Sequence, residues 1–203
     1  MLALKQQLVE LTTYFHQRGW TPATSSNFSA RVDQERILVT VSGKDKGTLT
    51  DDDFMLVNYQ GQPVDSDPNK KPSAETLLHT QLYNWHQDIQ VVLHTHSVNA
   101  TVLSMKLDQQ DHLRLDGYEV LKAFPSITSH EVSVDLPIFD NTQDISALSE
   151  LVDNACHQGI DIPGYLIRGH GLYAWGNSFA EAKKHIEALE FFLECELIKC
   201  RLN

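Results

Sequence analysis

One mixed α/β domain is what this sequence predicts, and three observations carry that expectation. Apolar residues recur at helical spacing in several segments, β-branched or alternating runs lie between them, and no repeat, low-complexity stretch or Pro/Gly/Ser-rich linker divides the chain. A length of 203 residues is enough for one hydrophobic core, so residues 1–203 are expected to form a single domain. The composition, 41% hydrophobic and 21% charged, is that of an ordinary globular chain and argues against disorder.

The elements follow in order. Leu4, Leu8, Leu11 and Phe15 mark an opening helix of about four turns that Gly19 stops. "ERILVTVSG" reads as a strand running into a turn. "PSAETLLHTQLYNWH" reads as a helix carrying Leu77, Leu78, Leu82 and Trp85, with Ser73 placed to cap it. "VVLHTH" is a strand, and Ser97 starts the helix after it. "DGYEVLKAF" predicts one or two helical turns before Pro125, "EVSVDLPIF" a strand, and "ISALSELVDNACHQG" a helix ending at Gly159. "GYLIRGHGLYAWG" predicts two strands folded about Gly169 and Gly171, because glycine tolerates the backbone angles of a tight turn. Ser178 and Glu181 form a capping box ahead of a long last helix through Ile186, Leu189, Phe192 and Leu197.

Charge narrows the partners. Sixteen Lys and Arg against 27 Asp and Glu leave a formal charge of −11, which repels nucleic acid and anionic lipid. No apolar run has the length to cross a bilayer, and the N-terminus is an amphipathic repeat unlike a secretion leader, so a cytoplasmic chain is expected. Cys156, Cys195 and Cys200 are odd in number and contain no Cys-x-x-Cys pair, which suits a reducing compartment and excludes a thiolate zinc site.

The stretch "VVLHTHSVNA" carries the chemistry. A strand repeats every two residues, so His94 and His96 point from one face and reach a common object. A catalytic zinc usually holds three protein ligands and keeps a position open, which calls for a third donor. His170, set between Gly169 and Gly171 at a strand turn, differs from the other histidines, most of which fall on helical or polar segments. Spacing alone leaves a ligand set and ordinary packed imidazoles both open. "ATSSNFS" and "VSGKDKG" are short runs of hydroxyl, amide, glycine and lysine residues; each alone reads as a turn, but together, with Lys44 and Lys46 beside Gly43, they predict an anion pocket. Glu75 lies at a helix start, where an acid also suits the helix dipole. Glu119 has nothing but its place between two core elements to single it out.

In their order and spacing, "TSSNFS", "SGKDKG", "KPSAE", "HTH" and "RGHG" resemble the class II aldolase/adducin family of zinc sugar-phosphate enzymes over nearly the whole chain. "LHTHS", "DGYEVLKAF" and "RGHGLYAWG" are most similar to its dehydratases. The resemblance implies a three-layer α/β/α fold with a central, mainly antiparallel sheet, assembled as a homotetramer with active sites near subunit interfaces. It implies one Zn2+ per subunit held by His94, His96 and His170, and a small sugar phosphate as substrate. Ser26, Asn27, Ser42, Gly43 and Ser73 fall on phosphate-binding positions, with Lys46 a further candidate. Glu119 matches the acid–base glutamate of the dehydratases and Glu75 that of the aldolases. Two departures stand out: many aldolases read Gly-Asn at Ser26-Asn27, and some eukaryotic dehydratases carry cysteine near Glu75. An aldolase or 4-epimerase on another sugar phosphate is the nearest alternative, and a metal-free adducin-like interaction module the alternative of a different class.

Overall fold

In the computed structural model, which describes residues 1–64, 67–125 and 127–202, the expected three layers are present. Among the described residues, eight strands form the central sheet: β1 (Asn27–Arg31), β2 (Ile37–Thr40), β3 (Phe54–Val57), β4 (Val91–Thr95), β5 (His112–Asp116), β6 (Ser133–Phe139), β7 (Gly164–Ile167) and β8 (Gly171–Gly176). Their order across the sheet is β3-β2-β1-β4-β8-β7-β6-β5. Every neighbouring pair is antiparallel except β6 and β7. A parallel pair needs a crossover, and α4 (Ile145–Gln158) supplies it.

Strand alternation sends successive residues into two cores. On one face Phe28, Ala30, Val91, Leu93, Leu172 and Ala174 meet Leu8, Leu11 and Phe15 of α1 (Leu2–Gln17), Leu103 of α3 (Val98–Lys106), and Ile186, Leu189 and Phe192 of α5 (Phe179–Leu202). On the other, Val39, Val92, Tyr165, Tyr173 and Trp175 meet Leu78 and Leu82 of α2 (Thr76–Trp85) and Leu148 and Val152 of α4. Central strands covered on both sides must be apolar on both faces, which explains the apolar run Val91, Val92 and Leu93 that opens β4.

The helix signals hold in most cases. Gly19 follows α1 with φ +75°, Gly159 ends α4 with φ +107°, and the Ser97 hydroxyl accepts from the Ala100 amide at the start of α3. Ser178 Oγ accepts from the Glu181 amide as expected, but the Glu181 carboxylate accepts from Asn177 instead of closing the box on Ser178. Ser73 corrects a further expectation. Its hydroxyl accepts from the Glu75 amide within a turn, and the helix itself begins at Thr76. Residues 119–123 form a short 3-10 helix, matching the expected turns. β1, β3 and β5 went unpredicted: each is short, and β1 opens with the polar residues of "SSNFS", whose buried hydroxyl and amide groups look like a loop in sequence.

Leu189 is fully buried and its Cδ1 lies 2.6 Å from where a Cβ on Gly164 of β7 would stand, so helix and strand are in close contact. Leu189→Ala is expected to lower the unfolding free energy by about 2–5 kcal/mol, and Leu202→Ala, at the exposed end of the same helix, by no more than about 0.5 kcal/mol. Urea titration of the two variants checks the contrast.

Candidate metal centre

The end of β4 and the start of β8 build the site. Antiparallel register sets Asn27 of β1, His94 of β4 and Tyr173 of β8 side by side on the face that carries α2. His94 is fully enclosed and stacks on Tyr173, with ring centroids 4.0 Å apart and planes at 16°. Its Nδ1 donates to the Leu172 carbonyl at 3.0 Å, which leaves Nε2 free of a proton and available to a cation. His96 follows one residue beyond the strand, its ring centroid 4.5 Å from that of His94.

His170 comes from the β7–β8 turn, which α3 holds from below. The Arg168 guanidinium donates to the carbonyls of Ser104, Leu107 and Gln110, which caps the C-terminal end of α3. The Gly169 amide donates to Ser104 Oγ, and Thr101 Oγ1 donates to the His170 carbonyl. Gly169 turns the chain with φ +64°. Gly171 serves a different purpose: a Cβ there would lie 2.1 Å from the Thr95 carbonyl oxygen and 2.9 Å from His94 Cε1. Only a bare backbone lets β8 come this near to β4.

The three imidazoles converge. One nitrogen of each of His94, His96 and His170 lies within 4.8 Å of the others, and the Nε2 atoms of His94 and His170 are 3.4 Å apart. Two nitrogens bound to one tetrahedral zinc at about 2.0–2.1 Å stand about 3.4 Å from each other, so the donor set fits a divalent cation. Burial holds His94 well below the usual histidine range, and burial together with the neighbouring His170 brings His96 down to about 4. Both are therefore neutral at physiological pH, the form that ligates metal.

Glu75 stands over the cluster. Its Oε1 is 2.7 Å from His170 Nε2 and its Oε2 3.8 Å from His94 Nε2. Burial alone would raise its pKa, but the hydrogen bonds with His170 and the Asn27 amide and the attraction of the adjoining imidazoles outweigh it and hold Glu75 below the usual carboxylate range. A cavity of about 410 Å³ opens from here, lined by Ser26, Asn27, Ser42, Gly43, Lys46 and Ser73 together with Glu75, His96 and His170. All the residues expected to contact phosphate thus border one space. Ser26 has φ +73°, the left-handed region that glycine adopts most readily, at the position where many aldolases carry glycine. Lys46 Nζ donates to the Thr24 and Lys44 carbonyls, and burial lowers its pKa to about 8. Lys44 turns away to pair with Asp53 at 2.9 Å and contributes nothing to the cavity wall.

Glu119 lies elsewhere. It is exposed on its short helix, paired with Lys122 at 2.5 Å and His130 at 3.4 Å, and it is not among the residues that line the cavity. Sequence reasoning missed Asn141, Thr142 and Gln143, which form the cavity wall next to His170, because a polar run before a helix looks like any N-terminal loop. It also missed His79 and Tyr83, although Glu75, at the N-cap of α2, and His79 and Tyr83 within it are spaced four apart and fall on one side.

Comparison with known proteins places this geometry. The family model for the class II aldolase and adducin N-terminal domain matches residues 6–197. The chain belongs to the class II aldolase and adducin family. Within the family it is 54% identical over 194 residues to the methylthioribulose-1-phosphate dehydratase of Pseudomonas aeruginosa, covering 96% of this chain and 93% of that one. The protein of that name from Stenotrophomonas maltophilia is 52% identical over 96% of this chain and 90% of its own. Among solved structures, l-fuculose-1-phosphate aldolase from Thermus thermophilus matches with a TM-score of 0.74 at 23% identity, covering 100% of this chain and 97% of that one. A sugar-phosphate aldolase from Thermotoga maritima gives 0.72 at 19% identity, over 99% and 97%. These two share the class II aldolase fold.

Two outcomes follow from the geometry. Gly171→Ala, by pushing β8 from β4, is expected to weaken binding of a divalent cation at least roughly tenfold; calorimetric titration with Zn2+ measures it, and unchanged binding contradicts the close approach. His79 is buried, which lowers its pKa from 6.5 to about 4. The unfolded chain therefore takes up its proton first as pH falls, so stability present above pH 6.5 is lost toward pH 4. Urea midpoints across that range are expected to fall less steeply for His79→Gln, whose amide does not titrate.

Proposed function

We propose that this chain is a zinc-dependent dehydratase converting 5-methylthioribulose 1-phosphate to 2,3-diketo-5-methylthiopentyl 1-phosphate and water, a step of methionine salvage, as a single catalytic domain in a cytoplasmic homotetramer. The observation that carries the reading is a trihistidine cluster opening onto a hydroxyl- and ammonium-lined cavity, in a chain 54% identical over nearly its whole length to an enzyme of that name.

His94, His96 and His170 would hold the zinc ion, which when bound would supply a Lewis acid for the negative charge that develops on the substrate as its C3 proton leaves. The chain does the rest. Ser26, Ser42 and Ser73 hydroxyls, the backbone at Gly43 and the Lys46 ammonium fix the phosphate, so that the reacting carbons are held in place without being touched. A carboxylate takes the C3 proton and assists the C4 hydroxyl to leave as water, and the enol that remains ketonises to the 2,3-diketone.

Glu119 is the first carboxylate assigned to that proton transfer, with Glu75, 2.7 Å from His170 Nε2, the second acid–base group of the same reaction. Glu119 projects from the surface of its own chain, so a neighbouring copy must bring it to the cavity. An exposed apolar stripe supports such an association: Val98, Val102 and Met105, at 68%, 43% and 60% exposure, follow one side of α3, which begins directly after His96 and Ser97. Glu75, already at the cluster, favours a second reading, in which the same site cleaves a sugar phosphate by aldol chemistry with Glu75 as acid–base group.

Incubation with 5-methylthioribulose 1-phosphate decides between them: dehydration leaves the carbon chain intact and lighter by one water, about 18 mass units, whereas aldol cleavage divides it. His96→Ala is expected to lose zinc and turnover together. Glu119→Gln is expected to retain zinc and lose roughly 100- to 10,000-fold in kcat. Mixing the two inactive variants should restore part of the activity if Glu119 acts across an interface, and a fully active Glu119→Gln enzyme removes it from the mechanism.

A further inference from the structure

The hydrogen bonds behind Glu75 form a continuous buried chain. Asn27 Nδ2 donates to Glu75 Oε2 at 2.5 Å, and Asn27 Oδ1 meets His79 Nε2. His79 Nδ1 is 2.7 Å from Ser29 Oγ, which is 2.8 Å from the Tyr83 hydroxyl. Two periodicities meet here. Asn27 and Ser29 are two apart on β1 and face the same way, while Glu75, at the N-cap of α2, and His79 and Tyr83 within it are four apart.

The direction of the chain follows from its end. Glu75 is a carboxylate and accepts only, so Asn27 must turn its NH2 toward it and its carbonyl toward His79. His79 Nε2 must then carry a proton. Burial keeps His79 neutral, so Nδ1 is an acceptor and the Ser29 hydroxyl donates to it. Ser29 has a single proton, now committed, and the Tyr83 hydroxyl donates to Ser29. With Asn27 reversed, its carbonyl oxygen would face the carboxylate across the same short distance, and two acceptors would repel.

We propose that His79, backed by Ser29 and Tyr83, is a positioning residue: it fixes the amide of Asn27 with its NH2 toward Glu75 and so holds that carboxylate at the histidine cluster in the orientation the reaction uses. His79 touches none of the three histidines assigned to the metal, and it lies on the buried side of Asn27, away from the cavity it serves. Its hydrogen bond reaches Glu75 through the Asn27 amide, while its ring also meets the edge of Tyr173 at 5.6 Å, a contact that the leucine and glutamine variants both alter. The role rests on the reaction proposed above, yet the tautomer it requires does not.

The test has two arms. In zinc-loaded protein labelled with 15N-histidine, the imidazole resonances that vanish in His79→Gln are expected to show the neutral Nε2–H tautomer at neutral pH, with a mixed population in Ser29→Ala. A neutral Nδ1–H tautomer or an imidazolium in the wild type overturns the proposal, whether or not the enzyme dehydrates anything. In the kinetic arm, His79→Leu is expected to lower kcat roughly 10- to 100-fold with KM and zinc content unchanged, the cost of one hydrogen bond to a charged group. His79→Gln, whose amide nitrogen donates from nearly the same place as Nε2, is expected to recover most of that loss. Wild-type turnover in His79→Leu, or no recovery in a folded, zinc-loaded His79→Gln, overturns the proposal. Should His79→Leu fail to fold, the wild-type tautomer decides. A wild type without dehydratase turnover removes the reaction, and the tautomer arm still judges the hydrogen-bond chain.

Discussion

A single row of side chains across the sheet sets the position of everything at the site. Asn27, His94, Tyr173 and Tyr165 are register partners on β1, β4, β8 and β7, one beside the next on the face toward α2 and α4. Stacking continues along it, from His94 to Tyr173 to Tyr165, the two tyrosines with centroids 4.8 Å apart and planes at 9°. Because side chains alternate, a slip of one residue at any of these pairings would send the members to the opposite core. The row ties a metal ligand to the hydrophobic packing on one side and to the Asn27–Glu75 contact on the other. Packing and chemistry are therefore specified by the same backbone register.

Electrostatics at the site runs against that of the chain as a whole. The molecule carries a formal charge of −11, yet the cavity is walled mainly by hydroxyls, amides and imidazoles, with Lys46 and Glu75 its ionisable extremes. Burial pushes histidines toward the neutral form, while hydrogen bonds keep Glu75 ionised. A cation thus meets neutral donors and one nearby negative charge, and an anion meets an ammonium group and polar hydrogens. Groups suited to a cation and groups suited to an anion thus border the same space.

Where local pattern determined the structure, the sequence was legible. The capped helices, the buried run of β4 and the glycine-marked hairpin all announce themselves through periodicity or a glycine at φ above zero, and the His-x-His pair followed from the period of a strand. His170 was distinguished by its flanking glycines, although its approach to His94 depends on β4 and β8 lying side by side, which no local pattern encodes. What was illegible is polar and buried. Asn27 and Ser29 read as a loop because amides and hydroxyls usually mark one, and only the partners on α2, some 50 positions along the chain, make them a strand. The external position of Glu119 was equally hidden, because sequence adjacency to core elements does not say which way a short helix faces solvent.

His94, His96 and His170 are unequal in one respect that bears on how the centre exchanges its contents. The first is wholly enclosed between strands and a tyrosine ring, while the other two are partly open to solvent. Solvent therefore meets the cluster on the side of His96 and His170, while the nitrogen of His94 faces it from the strand that forms its floor. A cation held by the three would be open to exchange from that outer side alone.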